Sequence, residues 1–553
     1  MAWFAEMRRR NVFKVALLYA IACWLTVWFV AAIQSEVVLP GWTESFTYFV
    51  LTVGFPVALW FAWTYEITPA GLRKADEVDQ TQSIVYKTGQ KLNAAVAVLL
   101  VLGVLAMFGQ RLLPKFEFLV PGVPEGIAPA SDRAPAEIRS HTLSNGLKIV
   151  VWPDHDIPNV AMYNFVRAGG RNEYPGITGL SHFFEHMMFL GTSSLEPGEF
   201  DKTMEAAGGR NNAYASSDVT VYTDWFPRSA LETIFALEAD RFQNLETYAD
   251  AVQSERAVVY SERRSSVDNN NFRKLHEQVQ ATAYVAHPYQ FPVIGWPSDI
   301  ESWTEEDLRN FYQTYYAPNN RTLIVIGDVT PEEVFGLAEK HFGPMPAQEP
   351  PPQIRTVEPE QGGVRRVVVE SSAQTPLLHM AFHSGRARDP QTLRMSLLLK
   401  VLAAGDSSRL HRRLVEDQGL ALSVGAWVDE GFDPGLTYFY LTLPPGGDLA
   451  KAEQGVLEEL ARVGAEGVSE QALSKARNII LADFWRALST IDGKAGALGE
   501  FEVFHGNYQH LFDLPAAIGV ITADDLRRLA AEVFHEDNMT VGVLVEPDAE
   551  ASE

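Results

Sequence analysis

The chain repeats itself at a fixed offset, and no other feature constrains its fold as tightly. Thr304, Asp307, Leu308, Arg309, Asn320, Thr322 and Val325 return as Thr522, Asp525, Leu526, Arg527, Asn538, Thr540 and Val543, each 218 positions later. A constant offset across a helical stretch and the apolar run that follows it means that one supersecondary pattern is built twice. Each copy opens on strand-like runs, Leu147 to Trp152 and Val160 to Val166 in the first, Val367 to Val369 and Leu377 to Phe382 in the second. Each closes on a run rich in β-branched residues, Leu323 to Ile326 and Val541 to Val545, with helical patterns between. The reading is an α+β body of two homologous domains, residues 138–343 and 364–548, separated by the proline-rich stretch 344–363.

Before this body come three apolar stretches without a charged side chain, at 15–33, 46–65 and 92–109. Each is long enough to span a bilayer as a helix, and Trp24, Trp28, Trp60 and Trp63 suit interfacial anchoring. The alternative is a set of buried helices in a soluble domain. Arg8, Arg9 and Arg10 precede the first stretch, the 34–45 connection holds no Lys or Arg, and the 66–91 connection holds Arg73, Lys74, Lys87 and Lys91. Basic residues favour the cytoplasmic side, so the N-terminus is expected inside and the duplicated body outside, which in a Gram-negative bacterium is the periplasm. Residues 1–113 are thus read as a multi-pass inner-membrane region, and 114–137, with five prolines, as a linker. The whole chain carries a net charge of −25. Ten basic and seven acidic residues in 1–115 leave −28 for the remainder, which argues against nucleic acid as a partner.

The chemistry concentrates in the first copy. In His182-Phe-Phe-Glu185-His186 the two histidines are i and i+4 on one helical face, where both can ligate one metal ion. Glu185 lies on that side too, as a carboxylate able to take a proton from the attacking water. Glu262 follows 76 positions after His186, and Glu255 stands seven before it on the same helical face. Two histidines and a carboxylate are a known catalytic zinc set, with Glu262 as ligand and Glu255 as its neighbour. Manganese or cobalt could also occupy such a set. Cys23 is the one cysteine, which excludes a thiolate zinc site and an internal disulfide.

The stretches GLSHFFEHMMFLGT, PGEFDKTMEAAGGRNNAYASSDVTVYTDWFP and SERAVVYSERR resemble the insulinase/pitrilysin family of inverted-motif zinc metallopeptidases, in its mitochondrial-processing-peptidase-like branch. That resemblance implies zinc, one per chain, on His182, His186 and Glu262, with Glu185 as base and Glu255 as a second acidic position. It implies two α/β-sandwich domains forming half of a peptidase clamshell, only the first of which binds zinc. It also implies that the strand around Asn212 and Ala213 pairs with an extended peptide substrate through main-chain hydrogen bonds. His287-Pro288-Tyr289 matches the family and is taken as structural. The N-terminal RRNVFKVALLYAIACWL and TYEITPAGL are similar to a membrane module that precedes bacterial signalling and repeat domains.

One departure stands out. Where relatives carry a substrate-contacting arginine and tyrosine in the second domain, this chain has Val415 and Leu422, neither of which can donate a hydrogen bond to a developing oxyanion. Arg412 and Arg413 stand nearby as possible substitutes. The expectation is a membrane-anchored zinc endopeptidase that cleaves short or unfolded peptides as a dimer, either with itself or with a related subunit supplying the missing pair. The alternatives are a non-catalytic peptide-binding or assembly subunit and a membrane sensor.

Overall fold

The computed structural model describes residues 137–246, 249–372 and 375–547 together with Pro135; earlier in the chain it describes Ala16, Tyr19, Cys23, Leu51, Phe55, Trp63 and the segments 65–68 and 71–74. The chain divides into two compact units, Met1–Ile127 and Ala128–Glu553. In the first unit, β1 (Tyr65–Thr68) pairs antiparallel with β2 (Gly71–Lys74), Tyr65 opposite Lys74. The Tyr19 hydroxyl donates to the Leu51 carbonyl at 2.9 Å. Apart from these residues, the three expected spans and the 114–134 linker lie outside the described residues. Among the described residues no helix is long and apolar enough to cross a membrane. Tyr65, expected to close the second span, instead begins a strand whose backbone is paired to β2.

The second unit holds two sheets. The first comprises β3 (Arg139–Thr142), β4 (Lys148–Pro153), β5 (Asn159–Val166), β6 (Arg210–Ala215), β7 (Thr220–Pro227) and β8 (Arg321–Gly327), in the order β3-β4-β8-β5-β7-β6. The second comprises β9 (Arg365–Glu370), β10 (Leu377–His383), β11 (Ser423–Val428), β12 (Leu436–Thr442) and β13 (Met539–Val545), in the order β11-β12-β10-β13-β9. Read from the other end, the second order reproduces the first without β3. Both sheets contain one parallel pair, β4 with β8 and β9 with β13, and are otherwise antiparallel.

Helices of the first copy are α1 (Leu180–Met187), α2 (Glu199–Ala206), α3 (Leu231–Gln243), α4 (Ala249–Arg263), α5 (Asn271–Ala283), α6 (Pro297–Ser302), α7 (Glu305–Tyr315) and α8 (Pro331–His341). Those of the second are α9 (Pro390–Ala403), α10 (Leu449–Glu466), α11 (Glu470–Ala487), α12 (Ile491–Phe504), α13 (His510–Val520) and α14 (Ala523–Val533).

The repeated residues have repeated jobs. Thr304 and Thr522 cap α7 and α14, each in a reciprocal box with the Asp three residues on. Leu308 and Leu526 are buried one turn later. The Asn320 amide donates to the carbonyls of Arg167 and Tyr315 at 3.1 and 2.8 Å, and the Asn538 amide does the same to His383 and Val533 at 3.0 and 2.9 Å. Each asparagine therefore ties the helix before it to the strand that pairs with the next one, which explains why the amide recurs at a fixed place.

The two copies are not independent domains. One face of the first sheet packs with α1, α3, α4, α7 and α8 around Phe183, Phe184, Phe235 and Phe342. Its other face is covered by helices of the second copy, with Phe165, Val221 and Ile324 against Ile491, Ala495 and Leu498 of α12. Reciprocally, α5 of the first copy lies on the second sheet, Leu275 and Val279 clustering with Ala381, Tyr438 and Leu544. The helices α5 and α12 are counterparts at the 218 offset, so equivalent helices have been exchanged. Both approaches are close: a Cβ on Gly499 would overlap the Phe165 ring, and one on Gly542 would overlap Val279.

Residues 346–364, between the copies, form no helix or strand. They are nonetheless pinned, because the Glu358 carboxylate accepts the backbone N–H groups of Val285, Ala286 and His287 at 2.9, 3.0 and 2.9 Å. His287-Pro288-Tyr289 lies at the junction. His287 Nε2 lies 3.1 Å from Asp433, whose backbone N–H donates to the Tyr289 hydroxyl at 3.2 Å. The same hydroxyl donates to Asp218 at 2.8 Å.

Candidate metal centre

α1 is short and has one apolar side. Leu180, Phe183, Phe184 and Met187 are buried in the first core, which turns His182, Glu185 and His186 the other way, half-buried. Phe184 stacks on Phe311 and Tyr312 of α7, and its carbonyl accepts from the Tyr222 hydroxyl at 3.1 Å. The helix has no side-chain cap of its own. Its first N–H groups are satisfied by Glu173, whose carboxylate accepts from Gly179 and from Ser181, both at 2.7 Å. Glu173 is 3% exposed, and burial pushes its carboxyl up to about 8, although both backbone donors work to lower it.

α4 supplies the carboxylates. Val252, Glu255, Val259 and Glu262 follow the i, i+3, i+7, i+10 spacing of one helical stripe. Val252 and Val259 are buried in the same core as α1, so the stripe faces α1 and carries both glutamates with it. Glu255 Oε1 stands 2.7 Å from His186 Nδ1. Glu262 Oε2 lies 3.4 Å from His186 Nε2 and 3.6 Å from His182 Nε2. One ligand atom from each of His182, His186 and Glu262 can be chosen so that all lie within 4.8 Å of one another. The structure thus separates the two glutamates that share a face in the sequence. Glu262 meets both imidazoles, while Glu255 meets the rear nitrogen of one and fixes its orientation.

The residues fit a zinc ion. Tetrahedral coordination with arms of roughly 2.0–2.1 Å puts neighbouring ligand atoms about 3.3 Å apart, close to the two separations seen. His182 Nδ1 has no hydrogen-bond partner, and with Glu255 at Nδ1 of His186 the Nε2 atoms are left to face the centre. The charges are those of a site built around a cation. Burial would depress His186, but its hydrogen bonds to Glu255 and Glu262 hold it up at about 9. Burial pushes His182 down to about 4 against the pull of Glu262. The bond from His186 holds Glu262 below the usual carboxylate range. Glu185 is raised by burial, although His186 and a hydrogen bond from the Ala215 backbone pull it down.

Ala215 ends β6, and β6 ends its sheet, since its one partner is β7. The periodicity of this segment suits an internal strand as well as an edge; the structure makes it an edge. Asn212 is exposed and Ala213 buried. In the second copy, Val415 packs against the core and Leu422 is 55% exposed. The Arg413 guanidinium is held by Glu458 and Glu459 of α10. Arg412 is exposed. Glu173 and Arg263 were not visible as site residues in the sequence: Glu173 reaches α1 from an irregular loop, and the partners of Arg263, four positions after Val259 on α4, are set only by the fold.

Residues 149–295 match the family described as Insulinase (Peptidase family M16), and residues 302–480 match the Peptidase M16 inactive domain. A zinc protease of Helicobacter pylori, PqqE, is 30% identical over 414 residues, covering 74% of this chain and 92% of that one. A crystal structure of a protease from Helicobacter pylori superposes with a TM-score of 0.72 at 29% identity, over 74% of this chain and 99% of that one. The periplasmic protease PqqL of Escherichia coli shares the fold, with a TM-score of 0.64 at 20% identity over 76% of this chain and 49% of that one. An α+β half-clamshell carrying an inverted His-x-x-Glu-His helix is the architecture of an M16 peptidase. The chain belongs to the insulinase family, peptidase family M16.

Proposed function

We propose that this chain is a zinc endopeptidase acting on short or unfolded peptides, with His182, His186 and Glu262 as the metal ligands and Glu185 as the base. The convergence of those three ligand atoms beside Glu185, in a chain akin to named zinc proteases, carries the reading. Zinc bound there would supply Lewis acidity, polarising the scissile carbonyl and making water a better nucleophile. Glu185 takes the proton of the attacking water and passes it to the leaving amine; its raised pKa suits both transfers. Glu255 holds His186 in the orientation that faces the metal. The open edge of β6, at Asn212 and Ala213, offers backbone groups to an extended peptide, so that shape is read more than sequence.

Glu185→Gln keeps the size of the side chain and removes the base. Hydrolysis of an unstructured fluorogenic peptide should fall by about 10²–10⁴-fold, while metal analysis still finds one zinc per chain. Unchanged turnover would remove Glu185 from its role.

Val415 and Leu422 stand where relatives carry the arginine and tyrosine, which supports a dimer whose other member is a related subunit supplying them. The chain assayed alone is then expected to be weakly active, and full activity as a homodimer would end this part of the reading. The three apolar stretches support anchorage in a bacterial inner membrane with the peptidase body in the periplasm. A topology reporter fused after residue 115 checks it: activity of a cytoplasmic reporter at that point reverses the orientation.

A further inference from the structure

The metal ligands come from two helices, α1 and α4, whose relative placement sets the distance between the imidazoles and Glu262. Beside the core contacts of Val252 and Val259 and the Glu255–His186 bond, one buried side chain at this junction stands out: Arg263, which follows Glu262 directly. Its Nη1 donates to Glu277 Oε2 and to the Gly295 carbonyl, both at 2.8 Å, and its Nη2 donates to Glu277 Oε1 at 2.9 Å. Trp296 lies 5.6 Å from the guanidinium carbon, and Asp268 is 3.6 Å from Nη2. A planar fork that meets one carboxylate in two places and a carbonyl in a third has little freedom left.

The carbonyl is the informative partner. Gly295 sits in the left-handed region, φ +87°, directly against Gly179, φ +90°. A Cβ on Gly295 would come within 2.8 Å of Gly179 Cα, and a Cβ on Gly179 within 2.7 Å of the Ile294 carbonyl. Only two glycines can approach so closely. Gly179 is the residue before α1, its N–H is held by Glu173, and His182 lies three positions on. The chain of contact therefore runs from Glu262 through Arg263 to Gly295, then across the glycine pair to Gly179 and His182. The other arm ends on Glu277 of α5, the helix that lies on the second sheet.

We propose that Arg263 is a positioning residue for the metal centre: it locks α4 against the Gly179–Gly295 contact and so fixes Glu262 opposite His182 and His186. The proposal rests on the metal reading above and adds to it a residue that touches neither metal nor substrate. It also assigns a task to the second copy, whose sheet carries α5 and Glu277 of the first and so supports a site to which it contributes no ligand.

The test measures metal rather than turnover. Full-length wild type, Arg263→Met and Arg263→Lys are titrated with zinc against a chromophoric chelator, and their cobalt(II) forms are compared by visible absorption. Arg263→Met is expected to weaken metal binding about 10-fold, the lower end of what loss of a group bonded directly to a ligand costs, because Arg263 acts one contact further out, and to alter the cobalt spectrum. Arg263→Lys, which retains the charge and can make only part of the fork, should fall between. Arg409→Met is the control, since Arg409 pairs with buried Glu459 in the second copy. It is expected to lower thermal stability and leave metal affinity unchanged. If Arg263→Met does not fold, the lysine variant decides: wild-type affinity and an unaltered spectrum would overturn the proposal. If wild type binds no metal, or His182→Ala binds as well as wild type, the metal reading fails instead, and that outcome is distinct.

Discussion

The two copies share their strand order, their capping threonines and their clamping asparagines, yet among the described residues only the first gathers metal-ligating side chains. At the 218 offset, Glu255 corresponds to Leu473 and Glu262 to Ile480. Leu473 is fully buried in the second core, and Ile480 packs against it. The facing helix changes to match. α1 has eight residues and one apolar side, whereas α9 has fourteen and buries Met395, Leu397, Leu398, Leu399, Val401 and Leu402. A stripe that holds two carboxylates toward a cleft in one copy is core in the other. The difference teaches that the fold tolerates either solution at this helix pair, because the framework is fixed elsewhere, by the caps, the asparagine clamps and the exchanged helices.

That comparison can be broken most severely at the matched helix positions. Leu473→Ala opens a cavity in the second core and is expected to cost about 2–5 kcal/mol, measured by denaturant unfolding, with zinc affinity unchanged. Glu255→Ala, its counterpart, should do the reverse: stability close to wild type and zinc affinity lower by about 10- to 100-fold. If the two variants behave alike, the copies do not divide labour in this way. Next in size is the exchange itself. Gly499→Ala pushes a methyl into Phe165 across the join, and overpacking of this kind costs about 1–3 kcal/mol. A single cooperative unfolding transition shifted as a whole would agree with exchanged helices; two transitions, only one of them shifted, would argue for separable copies.

The comparison is also sharpened through pH, where the effect is read as a slope. Glu173, at the head of α1, has its carboxyl raised by burial from its ordinary value of about 4.5 to about 8. The folded state therefore binds a proton that the unfolded chain has already released over that range. Its contribution to stability is complete below about pH 4.5 and is lost as pH rises through about 8, with a slope of at most about 1.4 kcal/mol per pH unit. Glu173→Gln should flatten that part of the stability–pH curve. Equal slopes for wild type and variant would mean that Glu173 is ionised in the folded protein.

Much of this was legible in advance because it is periodic or local. The offset of 218 announced two copies, and the structure shows why those residues recur: Thr304 and Asp307 form a cap, Leu308 a buried contact and Asn320 a clamp. His182, Glu185 and His186 stood out because ligands four apart on a helix must share a face. Glu173 could not be found this way. It reaches α1 from an irregular loop, and nothing in its spacing reveals which N–H groups it will meet.

The sequence by itself determined the doubled α+β pattern, the helical face bearing two histidines and a glutamate, and the candidacy of Glu255 and Glu262, since each rests on spacing along one element. Only the tertiary structure decided which glutamate meets both imidazoles, that β6 is an edge, that α5 and α12 are exchanged, and that Arg263 bonds Glu277 and the Gly295 carbonyl. These depend on contacts between segments far apart in the chain, where close packing, burial and hydrogen-bond satisfaction choose among arrangements that the local pattern leaves equal.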